Sequence, residues 1–367
     1  MAEKAIRLGG ESTADAIVSA VDSLYPEHTF EDKEFALKHN DDEISVDTNF
    51  AAQNFWKEAL IRFFNKKSAV LGLILIVVIV LLAVFGPGMN SYTYSGQDLS
   101  QKNFAPRVPG IERLGILDGS EKMSTTTGSK SVNAYVEKGK DDVYYWFGSD
   151  LYGRDIWTRT WEGARVSLII AVAAAVIDMV IGMSYGLISG YFGGRVDMVM
   201  QRFLEVANGI PRLVIVTLLL LVLQPGMATI IFALMLTEWV GMSRIARAEM
   251  LKLKDQEFVL ASRTLGAGSF FIIFKEVLPN IIGPIITQVM FSIPTAIFTE
   301  AFLSFVGLGI PVPQCSLGSL ISELYNSFTT HPYQIIPPIV VMSLLMLSFN
   351  LVADGLREAL DPKMKSM

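Results

Sequence analysis

Cysteine and histidine are nearly absent. Cys315 is the single thiol, and His28, His39 and His331 are the only imidazoles. One cysteine excludes an intrachain disulfide framework. So few soft ligands leave no Cys/His set with zinc spacing, so no resident metal or catalytic centre is expected. No G-x-x-x-x-G-K-[ST] run occurs, so the chain itself holds no ATP in a P-loop, and no H-E-x-x-H marks a metalloprotease. Charge is scarce as well. Asp, Glu, Lys and Arg make up 18% of residues against 51% hydrophobic. That balance excludes a basic nucleic-acid binder and fits an integral membrane protein.

Long apolar stretches supply the positive signal. Residues 68–86 carry no charge over the roughly 20 residues a bilayer requires. Further spans are predicted at 166–190, 203–223, 227–241, 281–308 and 335–352, with Gln224-Pro-Gly226 joining the third and fourth as a hairpin. Six spans put both termini on one side. Arg62, Lys66, Lys67, Arg195, Arg202, Arg244, Arg247, Lys252, Lys254, Arg263, Lys275, Arg357, Lys363 and Lys365 all fall on that side, whereas 224–226 and 309–333 hold no Lys or Arg. The positive-inside rule therefore predicts cytoplasmic termini and a cytoplasmic 242–280 loop. Arg154, Arg159 and Arg165 run against the rule, but their connection, 87–165, is long enough to be exempt.

The start, Met1-Ala-Glu-Lys-Ala-Ile-Arg7, lacks the apolar run of a cleaved signal. Residues 1–49 read as an acidic cytoplasmic extension. The segment 50–67 reads as an interfacial amphipathic helix with Phe55, Trp56, Ala59, Leu60 and Phe63 on one face. A helix packed on a partner would show the same pattern. The 87–165 insertion is rich in turn residues and carries the apolar cluster Tyr144-Tyr-Trp-Phe147, predicting a small irregular or β-containing unit on the outer side. A core over 166–353 and a cytoplasmic tail over 354–367 complete the division.

Gly182-Met-Ser184-Tyr-Gly186 matches a nucleophile-elbow pattern, but that motif needs a strand-to-helix turn and a nearby base. Gly182, Gly186, Gly190 and Gly194 recur every four residues, so helix packing accounts for them. Four ionisable residues fall inside spans: Asp178, Arg212, Glu238 and Glu300. Arg212 and Glu238 can snorkel. Asp178 and Glu300 lie deeper, and either lines a pathway or ties helices together. Pro211, Pro284 and Pro294 predict kinks.

The loop between the fourth and fifth spans carries the most information. Gln256 to Leu265 predicts a short helix with Phe258, Ala261, Ser262 and Leu265 on one face and Arg263 off it. Gly266 sits where a helix end needs positive φ. Ser269 predicts the N-cap of a second short helix, Phe270 to Leu278, which Pro279 stops. Such a helix–turn–helix at a membrane surface is either a docking device for a soluble partner or a cover for lipid headgroups.

Ala261-Ser-Arg-Thr-Leu-Gly266-Ala, closed by Leu278-Pro279, resembles the EAA loop of ABC-transporter permeases. Leu260 stands where that motif has its glutamate and Ser262 where it has its second alanine; Glu257 offers a charge one turn earlier. Phe147-Gly-Ser-Asp-Leu-Tyr-Gly153-Arg-Asp155, Gly163-Ala-Arg-Val-Ser-Leu168, Glu300-Ala-Phe-Leu-Ser-Phe-Val-Gly307-Leu-Gly309 and Asn350-Leu-Val-Ala-Asp-Gly-Leu-Arg-Glu-Ala-Leu-Asp-Pro362 look like signatures of the peptide/nickel branch, C-type permease subunit. The resemblance covers roughly residues 50–365. It implies an all-α type I importer fold of six transmembrane helices in a bacterial plasma membrane, with a long external insertion between the first two. It implies a second homologous permease, two ABC ATPase subunits that hold ATP and Mg, an external substrate-binding lipoprotein and a peptide substrate. It assigns Glu257, Phe258, Leu260, Ala261, Ser262, Arg263, Leu265, Gly266, Leu278 and Pro279 to ATPase coupling. Nickel chelates or another small solute are the alternative cargo, and an ion-coupled carrier centred on Asp178 or Glu300 is the rival class.

Overall fold

The computed structural model describes residues 55–125 and 128–360. The acidic 1–49 extension, the first residues of the 50–67 segment and the end of the 354–367 tail lie outside the described residues. The remainder is a helical assembly with one small hairpin. Helix α1 spans Phe55–Asn65 and α2 Lys67–Phe85. A hairpin follows, β1 Ser120–Thr125 and β2 Gly128–Asn133, antiparallel with Ser120 opposite Asn133. Then come α3 (Ile156–Phe192), α4 (Gly194–Gly209), α5 (Arg212–Val222), α6 (Met227–Leu253), α7 (Glu257–Thr264), α8 (Ser269–Leu308), α9 (Leu317–Tyr325) and α10 (Ile336–Leu360). Five helices, α2, α3, α6, α8 and α10, are long and apolar enough to cross a membrane, and α4–α5 makes a sixth crossing if the bent pair is one span. Two ends result. The terminal face carries α1, α7 and the end of α10; the insertion face carries the hairpin and α9.

Three boundaries differ from expectation. Helix α3 starts ten residues before the predicted Val166, because Asp155 is an N-cap: its carboxylate accepts from the Thr158 N–H at 2.8 Å and the Thr158 hydroxyl at 2.6 Å. Two of the arginines that looked like loop residues, Arg159 and Arg165, lie on this helix. Arg165 donates from Nε to the Ala83 carbonyl and from Nη2 to that of Val84, both at 3.0 Å, and so satisfies the orphan carbonyls that end α2. The third span, expected to be continuous over 203–223, is broken, with α4 and α5 bent by 74°. Pro211 has no N–H and pushes Ile210 into extended backbone (φ −86°, ψ 123°). Finally, the helix beginning at Ser269 does not stop at Pro279. A π-helical turn over Ile272–Val277 widens the coil just before the proline. The carbonyl that a regular turn would press against its ring is moved aside, and α8 continues.

The core lies between α2, α3, α6, α8 and α10, where Ile79, Trp161, Ala171, Ile230, Ile297 and Leu345 are buried together. Gly182, Gly186 and Gly190 of α3 face α6. A Cβ at Gly182 would fall 2.5 Å from the Trp239 carbonyl oxygen, at Gly186 2.1 Å from that of Ser243, and at Gly190 2.8 Å from Met250 Cβ. Gly194 does not extend this stripe; at φ 52° it helps turn the chain into α4. On the terminal face, Ala59 of α1 is buried and Phe63 packs beside Val352 and Ala359 of α10. Trp56 and Leu60, predicted to share that face, are exposed instead, with Ile61 and Phe64.

The insertion holds together by aromatic packing and polar ties. Phe104, Tyr135 and Tyr145 are fully buried, and Tyr92 stacks on Tyr145 with centroids 4.6 Å apart. A buried ion cluster joins the insertion to α9. Asp150 Oδ2 accepts from Arg154 Nε at 2.7 Å and from Arg159 Nη1 at 2.8 Å, and Glu323 of α9 accepts from Arg159 Nη2 at 2.7 Å and also from Arg154. Gln334 at the foot of α10 donates to the Ser149 carbonyl at 3.0 Å. Burial pushes the Glu323 carboxyl up, but the Arg159 and Arg154 guanidiniums hold it below its ordinary value of 4.5. A carboxylate with a lowered folded pKa contributes stability that is present above the unfolded value and lost as pH falls through the folded one. Thermal unfolding in detergent, followed from pH 7 to about 3.5, should therefore show stability falling below about pH 4.5. Glu323→Gln should be destabilised at pH 7 by about 3–5 kcal/mol, the effect of breaking a buried pair, with a flatter acid limb. An unchanged acid limb in the variant would show that Glu323 contributes nothing to it.

Candidate functional site

A surface built by α7 and the start of α8 stands out on the terminal face. Helix α7 ends in a Schellman arrangement. The Ala267 N–H donates to the Ser262 carbonyl at 3.0 Å and the Gly266 N–H to that of Arg263 at 3.1 Å, with Gly266 at φ 83°. No atom would meet a Cβ at Gly266. The backbone angle alone therefore calls for glycine there, and another residue costs about 1–2 kcal/mol. The helix is anchored by Val259, which is buried with Met250, Ile272, Ile273 and Val277. Arg263 lies over the Tyr191 ring at 5.5 Å and ties α7 to the end of α3.

The predicted apolar face of α7 turns outward. Phe258 is 38%, Leu260 43% and Leu265 87% exposed. Glu257 and Ala261 are exposed and Ser262 half-buried. The first turns of α8 extend this surface with Phe270, Phe271 and Phe274, all exposed; the Phe270 and Phe274 rings stack with centroids 6.4 Å apart. Leu278 is half-buried and Pro279 exposed where the wide turn closes. The sequence gives no sign that Val259 rather than Phe258 is the anchor, because helical periodicity fixes relative faces but not which face meets the protein. Beneath the surface, Asp197 of α4 accepts from Arg247 of α6 at 2.6 and 2.5 Å and from Ser189 of α3 at 2.5 Å. That bidentate contact fixes three helix ends in one place.

Asp178 and Glu300 are not brought together. Asp178 opens a π-helical turn in α3 (Asp178–Gly182), is 3% exposed and accepts from the Ser292 hydroxyl of α8. Its Oδ1 has no hydrogen-bond partner among the described residues. Glu300 lies eight residues beyond Ser292 on α8, about 12 Å along a helix. It is fully buried and accepts from Ser304 at 2.7 Å, Ser316 at 2.5 Å and Ser167 at 3.3 Å. Ser316 is the N-cap of α9, in a capping box with Ser319. Glu300 thus joins α3, α8 and the start of α9. Nothing in the sequence signals the contact between this box and Glu300, which joins segments distant along the chain.

The family described as binding-protein-dependent transport system inner membrane component matches residues 182–366, and the N-terminal TM domain of oligopeptide transport permease C matches residues 54–106. The oligopeptide transport system permease protein OppC of Bacillus subtilis is 42% identical over 312 residues, covering 85% of this chain and 91% of that protein. The dipeptide transport system permease protein DppC of the same organism is 39% identical over 313 residues, covering 85% and 87%. OppC of Escherichia coli is 33% identical over 311 residues, covering 85% and 92%.

Glu300→Gln keeps one acceptor for hydroxyls that can rotate, and it should cost about 1.5–3 kcal/mol of stability, the range for bonds to a charged group. Energised uptake should persist in this variant with ion gradients dissipated and ATP held constant. If the variant assembles normally but uptake collapses, the carboxylate acts in the pathway rather than in the architecture.

Proposed function

The chain belongs to the inner-membrane permeases of binding-protein-dependent transport systems, in the oligopeptide permease C group, and we propose that it imports oligopeptides or dipeptides handed to it by an external binding protein. It is the membrane-spanning subunit of an ABC importer and makes or breaks no covalent bond in its cargo. ATP and Mg are bound and turned over on two separate ATPase subunits, and a second, homologous permease completes the pathway. The terminal face is cytoplasmic and the insertion face external, in agreement with the distribution of Lys and Arg.

One observation carries the coupling role: the exposed, pre-shaped apolar surface of Phe258, Leu260, Leu265, Phe270 and Phe274. An exposed apolar surface whose helix end is set by Gly266 and that is flanked by Glu257 and Lys275 fits a protein partner. One ATPase subunit docks there. Its closure on ATP displaces α7 and the start of α8 together and rocks the permease between outward- and inward-facing states around a site near the membrane midplane. Peptides are favoured over nickel chelates because the relatives are named for oligopeptide and dipeptide transport.

Leu265→Glu places a charge on a side chain that is 87% exposed, so folding and membrane insertion should be unaffected. ATPase association, measured by co-purification, should weaken by roughly tenfold or more, and uptake should fall with it. Gly266→Val, which strains the turn, should have the same phenotype. Normal uptake with ATPases still bound in both variants would remove the docking role.

Orientation has its own test. Cys315 is buried and gives a silent background for thiol labelling. Cysteines at Ser131 or Thr329, both exposed, should react with an impermeant reagent from outside intact cells, and one at Thr264 only after the inner face is opened. Labelling of Thr264→Cys from outside would invert the topology.

A further inference from the structure

The insertion face holds a concavity that the coupling surface does not explain. It measures about 430 Å³ and lies between the end of α8, the 309–314 loop and α9, beside Pro225 of the α5–α6 turn. That is the volume of a small-ligand site. Gln314, Ser322, Glu323 and Asn326 line it. Gln314 and Asn326 are exposed and Ser322 half-buried, and among the described residues none of the three bonds to another protein group, so two amides and a hydroxyl can exchange water for a ligand. Glu323 differs, because its two oxygens are already held by Arg154 and Arg159. Its charge is compensated, yet a carboxylate has about four lone-pair sites and can still accept.

The wall therefore hydrogen-bonds without presenting net charge. Each amide offers one donor group and one acceptor, the same pair that a peptide unit of a main chain exposes. The wall is also pre-organised. Glu300 fixes the N-terminal end of α9 through Ser316, and the arginine pair fixes its C-terminal end through Glu323.

We propose that this cavity is an outer subsite for the main chain of the transported peptide, with Gln314, Ser322 and Asn326 pairing with its amide and carbonyl groups. The inference rests on the peptide-import reading above. Recognition of this kind reads backbone rather than side chains, as a carrier of many sequences requires. A loop of the binding protein could fill the same volume, and the experiment separates the two.

The complete complex, with both permeases, ATPases and the peptide-loaded receptor, is reconstituted in liposomes with radiolabelled tetra-alanine as the probe. A photoreactive benzoylphenylalanine at Val312, an exposed residue of the cavity rim, should crosslink to tetra-alanine during ATP-driven turnover. The double variant Gln314→Ala, Asn326→Ala should lose crosslinking and saturated uptake by about tenfold, from two lost neutral hydrogen bonds. Its half-saturating concentration of loaded receptor and its peptide-independent ATP hydrolysis should stay unchanged. Crosslinking to the receptor alone, or uptake by the double variant equal to wild type, would overturn the subsite while peptide import stands. Failure of the unaltered complex to import tetra-alanine would remove both readings.

Discussion

The close approach of α3 and α6 sets the position of nearly everything on the terminal face. Three glycines one turn apart let the α6 backbone come within 2.1 Å of where a Cβ at Gly186 would lie. Any side chain there forces the helices apart, and overpacking of this kind costs about 1–3 kcal/mol. Because α7 follows α6 after a short connection, that contact fixes where α7 begins. Val259 then packs into the same cluster as Met242, Ala246 and Met250. With the inward side of α7 taken up by Val259, Phe258 and Leu265 have no inner surface left to cover. Their exposure follows from the glycine contact.

The insertion face depends on charge buried in pairs instead. A lone buried ion is very unfavourable, and a paired one is tolerated only with good geometry. Asp150, Arg154, Arg159 and Glu323 meet that condition, with two carboxylates and two guanidiniums in mutual contact. The cluster compensates for the lack of a disulfide: it joins the insertion, the start of α3 and the end of α9 in one contact. Glu300 holds the other end of α9 through hydroxyls. The short helix is thus clamped at both ends, and the cavity beside it has fixed walls.

Much of this was legible in the sequence, and the failures share one cause. Apolar length revealed the membrane class, and the turn chemistry of Gly266 gave the end of α7, because both depend on local backbone and composition. Arg159 and Arg165 misled because they look like loop residues until Glu323 and the Ala83 carbonyl are in place beside them. Asp155 followed by Thr158 was a readable N-cap signal that would have moved the start of α3 to Ile156. Pro211 and Pro279 show that a proline does not decide its own outcome. At Pro211 the chain bends by 74°, whereas at Pro279 the π-helical turn over Ile272–Val277 absorbs it. Only the neighbouring packing distinguishes the two. The outward turn of Phe258 and the burial of Phe63 rather than Trp56 are likewise tertiary choices that periodicity leaves open.

The continuity of α8 through Pro279 bears on mechanism. Had the proline ended the helix, the exposed apolar surface of α7 and the start of α8 would be joined to the membrane core by a flexible turn, and a displacement there would dissipate. Instead one element of 40 residues runs from Ser269 to Leu308. It carries the exposed Phe270 and Phe274 at its first turns, meets Asp178 through Ser292 midway and holds Ser316 through Glu300 at the far end. A push on its first turns reaches the start of α9 through covalent backbone and the Glu300–Ser316 hydrogen bond. The π-helical turns at Ile272–Val277 and Ser304–Leu308 are where it can yield, since a widened turn changes register more easily than a regular one. A nearly continuous lever with a soft point near each end is suited to passing a motion between the two faces while keeping its middle, and the helices packed on it, as one body.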